Sequence, residues 1–303
     1  MRHAAWFVVL AAGAGCIDPQ SDEDGDGLVY ERELEVGTDP KIDDSDGDGL
    51  TDGQEVDFGT DPLDKASGRY EGGWPRQTVA FKDAVVASGK TGKEIDTGKR
   101  FPRLIEKDQH GEEVDLYDLS GHGRKIIVDV SAEWCGPCKQ ISTILGDKDT
   151  TDPLFQPIVG MIRAGLISWV TVLSEDVDGE APKPRIARTW ERDFPARGVM
   201  VLGDTEAQLL DYVVASTGAW PSFVILNENM KVVEYGTLSD PGMQAAMTAV
   251  VDSACGDLES CCSDVGDKAL KKACNEAVDE ASPLACIEAR TSLDEAGFCP
   301  ILK

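Results

Sequence analysis

Positive charge is scarce in this chain. Its 303 residues carry 29 Lys and Arg against 56 Asp and Glu, a formal net charge of −27. Such a field repels phosphate backbones, so nucleic-acid binding is excluded and cations become the expected partners. Histidine is nearly absent, with three residues. His110 and His122 each stand beside a glycine with no second His or Cys nearby, which reads as turn surface rather than metal ligation. No apolar stretch after the N-terminus is long enough to span a bilayer. GKTGKE at residues 89–94 lacks both the glycine spacing and the Ser/Thr that a phosphate-binding loop needs.

What is present is unevenly spread. Residues 18–64 hold 18 acids against only Arg32 and Lys41, a net of −16. Two copies of one pattern lie there, 22 residues apart: DEDGDGLVYERELEVGTDP from Asp22 and DSDGDGLTDGQEVDFGTDP from Asp44. Each fits the spacing D-x-D-x-D-G-x5-E of a calcium loop. Alternate carboxylates on a curled loop converge on one point, and Ca²⁺ requires six to eight hard oxygen ligands. The ligand positions are Asp22, Asp24, Asp26 and Glu33, then Asp44, Asp46, Asp48 and Glu55. Gly27 and Gly49 stand at the turns, and Asp52 takes the ninth position of the second loop. Leu28 and Leu50 would offer backbone carbonyls. Without a cation the same density of acid reads as a disordered spacer. The DxDGDG and GTDP elements resemble thrombospondin type 3 repeats, a likeness that implies Ca²⁺ as cofactor and Asp39 and Asp61 as further ligands.

The N-terminus, MRHAAWFVVLAAGAGC, joins a basic start to an apolar run, Ala4–Ala12, and small residues up to Cys16, as an export signal does. Its end resembles the lipobox of bacterial lipoproteins, with Gly13 where Leu, Val or Ile is usual. That likeness implies a lipid on Cys16, hence a membrane anchor. The acid expected directly after the Cys of an inner-membrane lipoprotein is absent, which implies the outer membrane. Ordinary secretion is the alternative.

Nine cysteines occur. Cys16 ends the signal, and Cys135 and Cys138 form a CxxC. Cys255, Cys261, Cys262, Cys274, Cys286 and Cys299 fall in the last 49 residues. In an exported chain this even, clustered set predicts structural disulfides, with 15 possible pairings. Helices are predicted over Ala269–Glu280 and Pro283–Glu295. A tail this small, residues 253–303, needs staples to fold. Residues 65–99 are rich in Gly, Lys and Ser and read as a linker with one short helix near Val79–Val86.

Between them, KIIVDVSAEWCGPCKQIS at 125–142 sets an apolar strand against a CxxC at a helix start. Unpaired N–H groups and the dipole there favour a thiolate, and Pro137 suits a first turn. A hairpin at residues 104–116 precedes it. Strands at 166–173, 198–202, 222–226 and 231–235 follow, with helices at 154–164, 184–193, 206–213 and 241–251 among them. The class is α/β, a mixed sheet flanked by helices. WCGPCK after IIVDVSAE, with Trp220-Pro221-Ser222-Phe223 some 80 residues on, resembles the thioredoxin superfamily, and the longer middle section resembles its TlpA-like thiol–disulfide oxidoreductases. The match covers residues 100–252. It implies Cys135 as the nucleophile and Cys138 as the resolving thiol. It further implies Asp129 as a buried proton carrier and Pro221 as a cis-proline opposite the CxxC. Trp134 and Trp220 would flank the substrate. No cofactor beyond the cysteine pair is implied; the partners are protein dithiols and disulfides and an envelope redox protein. A zinc site would need a second cysteine pair in the core, and a peroxiredoxin would need Thr where Ala132 stands. The other functional class left open is a calcium-stabilised surface binding protein using the thioredoxin-like domain as a scaffold.

Overall fold

The structure, a computed structural model, describes residues 18–47, 50–58, 60–64, 70–89, 91–92, 94–280 and 282–295. Two compact units divide between residues 57 and 69. Expectations for Cys16, Asp48, Gly49 and Cys299 lie outside the described residues.

The first unit has little apolar core; Leu28 is its buried hydrophobic residue among those described. Two seven-residue helices, α1 (Tyr30–Val36) and α2 (Asp52–Phe58), each follow one acidic loop. Acids in their first turns, Glu31 and Glu33 in α1 and Asp52 and Glu55 in α2, suit the positive end of the dipole. Gly37, at φ 99°, closes α1 in the left-handed conformation, its N–H donating to the Glu33 carbonyl.

The second unit begins with α3 (Val79–Ala87), capped by Thr78, whose side chain accepts from the Phe81 N–H. β1 (Ile105–Lys107) and β2 (Glu113–Asp115) make the expected antiparallel hairpin. The main sheet follows. In chain order come β3 (Lys125–Ala132), α4 (Gly136–Gly146), α5 (Phe155–Arg163), β4 (Ile167–Glu175), α6 (Ile186–Asp193) and β5 (Val199–Gly203). After them come α7 (Ala215–Thr217), β6 (Ser222–Leu226), β7 (Val232–Gly236), α8 (Pro241–Asp264), α9 (Lys268–Glu280) and α10 (Pro283–Glu295). The sheet order is β5-β4-β3-β6-β7. β3 lies at its centre, parallel to β4 and antiparallel to β6.

Strand alternation splits the core. Ile127 faces a layer built with α4, α5, α6 and α8, whereas Ile126, Val128 and Val130 face a layer that includes the 3-10 turn at Leu116–Leu119. Buried Cys138, Ile141, Ser142 and Leu145 form the inward stripe of α4.

Three expectations differ from the structure. Within the stretch read as linker, Tyr70, Trp74, Val85 and Ile95 are buried in the second layer; few apolar residues suffice because charged side chains fasten the segment. The helix expected to end at Val251 continues to Asp264. Val250, Ala254, Leu258 and Cys262 keep one face buried, and no proline interrupts them. The helix expected over 206–213 is present but starts at residue 208, runs on to Thr217 and is π-helical in its middle, Leu210–Val214. The Asp204 carboxylate collects the Gln208, Leu209 and Leu210 N–H groups and restarts the backbone there.

The helices α9 and α10 match the two predicted in the tail. Disulfides join Cys255 to Cys286 and Cys262 to Cys274, and Cys261 is also disulfide-bonded. Among the described residues no helix is long and apolar enough to cross a membrane.

Candidate functional site

Three features meet at the end of the central strand. β3 is paired on both sides, so the chain leaving it is held rigidly. Cys135 ends that exit as the N-cap of α4, and Cys138 lies one turn in, bonded to it as a disulfide. Cys135 Sγ accepts the Cys138 N–H at 3.2 Å. The sulfur therefore sits where backbone donors and the helix dipole both favour negative charge. Both cysteines are buried, Cys135 at 2 % exposure.

The second feature is Pro221. The Trp220–Pro221 bond is cis, and Ser222 directly after it pairs with Val130, which brings the proline beside the end of β3. Pro221 lines a groove of about 290 Å³ with Pro137, Ile141, Trp220 and Leu238. The turn before it is braced: Ser222 Oγ donates to the Ala219 carbonyl at 2.6 Å and lies 2.6 Å from Thr217 Oγ1.

Trp134 and Trp220 meet edge to face, ring centroids 5.2 Å apart. Trp134 is 44 % exposed, and its indole N–H donates to Glu175 Oε2 at 2.7 Å. Trp220 donates to Ser174 Oγ at 2.9 Å, and Ser174 Oγ to the Ser131 carbonyl at 3.1 Å. Two tryptophans are thus pinned to the end of β4 beside the cysteine pair. Sequence reading missed Ser174 and Glu175. The signal was their polarity in the apolar strand ISWVTVLSE.

The third feature is Asp129. It is fully buried and shares strand parity with Ile127, so it points into the layer that holds α4 and the cysteines. Its oxygens accept from Ser131 Oγ at 2.8 Å and Thr171 Oγ1 at 3.3 Å. Burial raises the carboxyl to about 7, against the lowering effect of these two hydroxyls. An acid that titrates near neutrality can both take and return a proton there.

The first unit carries a separate cluster. Asp22, Asp24 and Asp26 each bring a carboxylate oxygen within 4.8 Å of the others. Glu33 is wholly buried, and neither of its oxygens has a hydrogen-bond partner. Burial first, then Asp24, Asp26, Asp52 and Asp22, push its carboxyl up to about 7. An orphaned buried carboxylate facing three others fits a divalent cation. The second loop closes on the first: the Gly53 N–H donates to Asp26 Oδ2 at 2.7 Å, and a Cβ at Gly53 would fall 2.2 Å from the Asp26 carbonyl oxygen. Asp52 accepts from Ser45 N and Oγ. Among the described ligand candidates of the second loop, Asp44 Oδ1 accepts the Gly47 N–H at 2.7 Å. Glu55 is buried, and Asp46 is half-buried.

Strand order, the cysteine pair at the end of the central strand and the cis-proline beside it make the core a thioredoxin-like fold. Residues 44–65 match the family model described as Bacterial TSP3 repeat. A stretch of 93 residues, 30% of this chain, is 32% identical to Thioredoxin H2-1 of Oryza sativa subsp. japonica and covers 54% of it. The chain thus spans about half the length of that curated relative. Among solved structures, one described as a thiol:disulfide interchange protein DsbE from Chlorobium tepidum shares 21% identity, over 52% of this chain and 99% of that one, at a TM-score of 0.38. The thioredoxin domain of a thiol-disulfide oxidoreductase from Bacteroides vulgatus shares 16% identity, over 52% and 99%, at 0.37.

Proposed function

We propose that this chain is an exported thiol–disulfide oxidoreductase, held in the bacterial envelope by a lipid on Cys16 and carrying calcium-loaded acidic repeats. The observation that carries the enzymatic reading is the Cys135–Cys138 pair at a helix N-terminus, with Pro221 beside it and a buried Asp129 in the same layer. A scaffold has no need of all four.

The exchange runs as follows. In the dithiol form the Cys135 thiolate attacks one sulfur of a protein disulfide. That S–S bond breaks, and one substrate sulfur leaves as a thiolate. The Cys138 thiol gives its proton to the Asp129 carboxylate and attacks Cys135 Sγ. The mixed disulfide breaks, the second substrate sulfur leaves, and two electrons have passed to the substrate. An envelope redox protein closes the cycle by reducing the pair; run in reverse, the same steps oxidise a dithiol. Pro221 and the groove beside it seat the substrate backbone, with Trp134 and Trp220 as its flanks.

The full chain, treated with limiting dithiothreitol, is expected to open Cys135–Cys138 before the tail disulfides. One equivalent of a disulfide peptide should then close the pair again. Alkylation and mass spectrometry read both steps. A pair that still takes up the alkylating agent when it is added after the peptide overturns the reading.

Calcium is assigned to Asp22, Asp24, Asp26 and Glu33 in the first loop and to Asp44, Asp46, Asp48 and Glu55 in the second. Its role is to offset the mutual repulsion of these acids and so order the unit. Calorimetric titration of the full chain should show uptake at or below millimolar Ca²⁺. Glu33→Gln is expected to weaken it by about tenfold or more, since affinity follows the charge count of the ligands. No uptake by the wild-type chain removes calcium from the account.

A further inference from the structure

β4 is apolar apart from a few positions, and Thr171 sits opposite Asp129 in the register. The bonding around it is directional. Trp169 Nε1–H can only donate, and it points at Thr171 Oγ1 at 3.3 Å. The Thr171 hydroxyl therefore turns its own hydrogen to Asp129 Oδ2. Ser131 Oγ supplies a second hydroxyl, to Oδ1. Trp169 is itself fixed, buried against Phe155 and Phe223.

Among the described residues no charged side chain takes part. Lys125 stands at the opposite end of β3 from the cysteines. Glu175, at the end of β4, is engaged by Trp134. Lys139, the charged residue of α4, acts on Asp193 of α6. β6, the other neighbour, is SFVIL and places Phe223 against Asp129. On α8, the segment packed here is apolar, with Met243 and Met247. The ionised form of Asp129 thus depends on two neutral hydroxyls.

We infer that Thr171 and Ser131 are positioning residues that set how readily Asp129 accepts the proton of Cys138, with Trp169 fixing the direction of the Thr171 hydroxyl. This rests on the oxidoreductase reading. Hydroxyl donors stabilise the carboxylate over the acid, so removing one holds Asp129 protonated to higher pH. The carboxylate is then scarcer at neutrality and resolution slows.

The test uses the reduced full chain labelled with ¹³C at aspartate carboxyls. Thr171→Val, which keeps the shape and removes the hydroxyl, is expected to move the Asp129 titration midpoint up by about one pH unit. The rising limb of peptide-disulfide reduction should move with it, a loss of roughly five- to tenfold near pH 7. Thr171→Ser restores both. Ser131→Ala shifts the midpoint the same way and serves if the valine variant folds poorly. In an Asp129→Asn background, Thr171→Val should leave the profile unmoved. A wild-type chain that performs no exchange overturns the enzymatic reading. Normal exchange with an unmoved midpoint in folded Thr171→Val or Ser131→Ala overturns the roles given to these hydroxyls.

Discussion

Cys135→Ser is expected to lower peptide-disulfide reduction by roughly three orders of magnitude or more, the scale on which loss of a nucleophile acts. The reason is electronic. Serine keeps the N-cap geometry and can still accept the Cys138 N–H, but an alkoxide is not available near pH 7 and Oγ does not attack sulfur. The fold should hold, because the substitution exchanges one buried sulfur for one oxygen at a helix cap and leaves every other side chain in place. Cys138→Ser has a different signature. Attack by Cys135 remains, resolution is lost, and one substrate chain per protein accumulates as a mixed disulfide. Mass spectrometry under non-reducing conditions distinguishes the two. Reduction that survives Cys135→Ser, or a mixed disulfide formed at Cys138 instead, overturns the assignment of attacking and resolving thiols.

How much of this was legible in the sequence depends on the range of the interaction. The sheet was readable because β3 and β4 are apolar runs bounded by turns, and hydrophobic burial needs no partner to be named. The CxxC and Pro221 were readable as local motifs. The supports of the site were not. Ser174 holds Trp220 across 46 residues, and Thr171 reaches Asp129 across 42. A lone polar residue in a strand does not announce which neighbour it bonds. The burial of Asp129 was an expectation from resemblance; the structure places it at the centre of the sheet, and Thr171 and Ser131 supply the reason a carboxyl can be kept there. The disulfide pairings were beyond reading, since six clustered cysteines allow 15 pairings. Cys255 and Cys286 meet only because α8 extends past the point where its sequence was expected to stop.

The largest stability effect is expected at Lys82, in the stretch that sequence read as linker. Its ammonium lies 2.5 Å from Asp118 Oδ1 and 3.4 Å from Asp115 Oδ2, with the Lys82 side chain 11% exposed and that of Asp118 1%. Asp118 also accepts from Tyr70 Oη at 2.7 Å and the Gln77 N–H at 3.0 Å, and Asp115 accepts from Arg103 Nε at 2.8 Å. This network, more than apolar area, fastens residues 70–89 over the second core layer. Polar residues in a glycine-rich stretch look solvated until their partners, some 40 residues away, are known. Lys82→Met removes the cation and leaves Asp118 buried with two neutral donors. Breaking one side of a buried pair costs about 3–5 kcal/mol, which in a unit of this size lowers the melting midpoint by roughly 10 °C. Lys82→Met with Asp118→Asn should recover part of the loss, because the stranded charge is then gone. A Lys82→Met loss under about 1 kcal/mol, the range of a surface pair, would show that α3 is held by its apolar contacts instead. Exchange at Cys135 below the melting range should be untouched, since Lys82 and Asp118 belong to the layer that Val128 and Val130 face and the cysteines to the one that Asp129 faces.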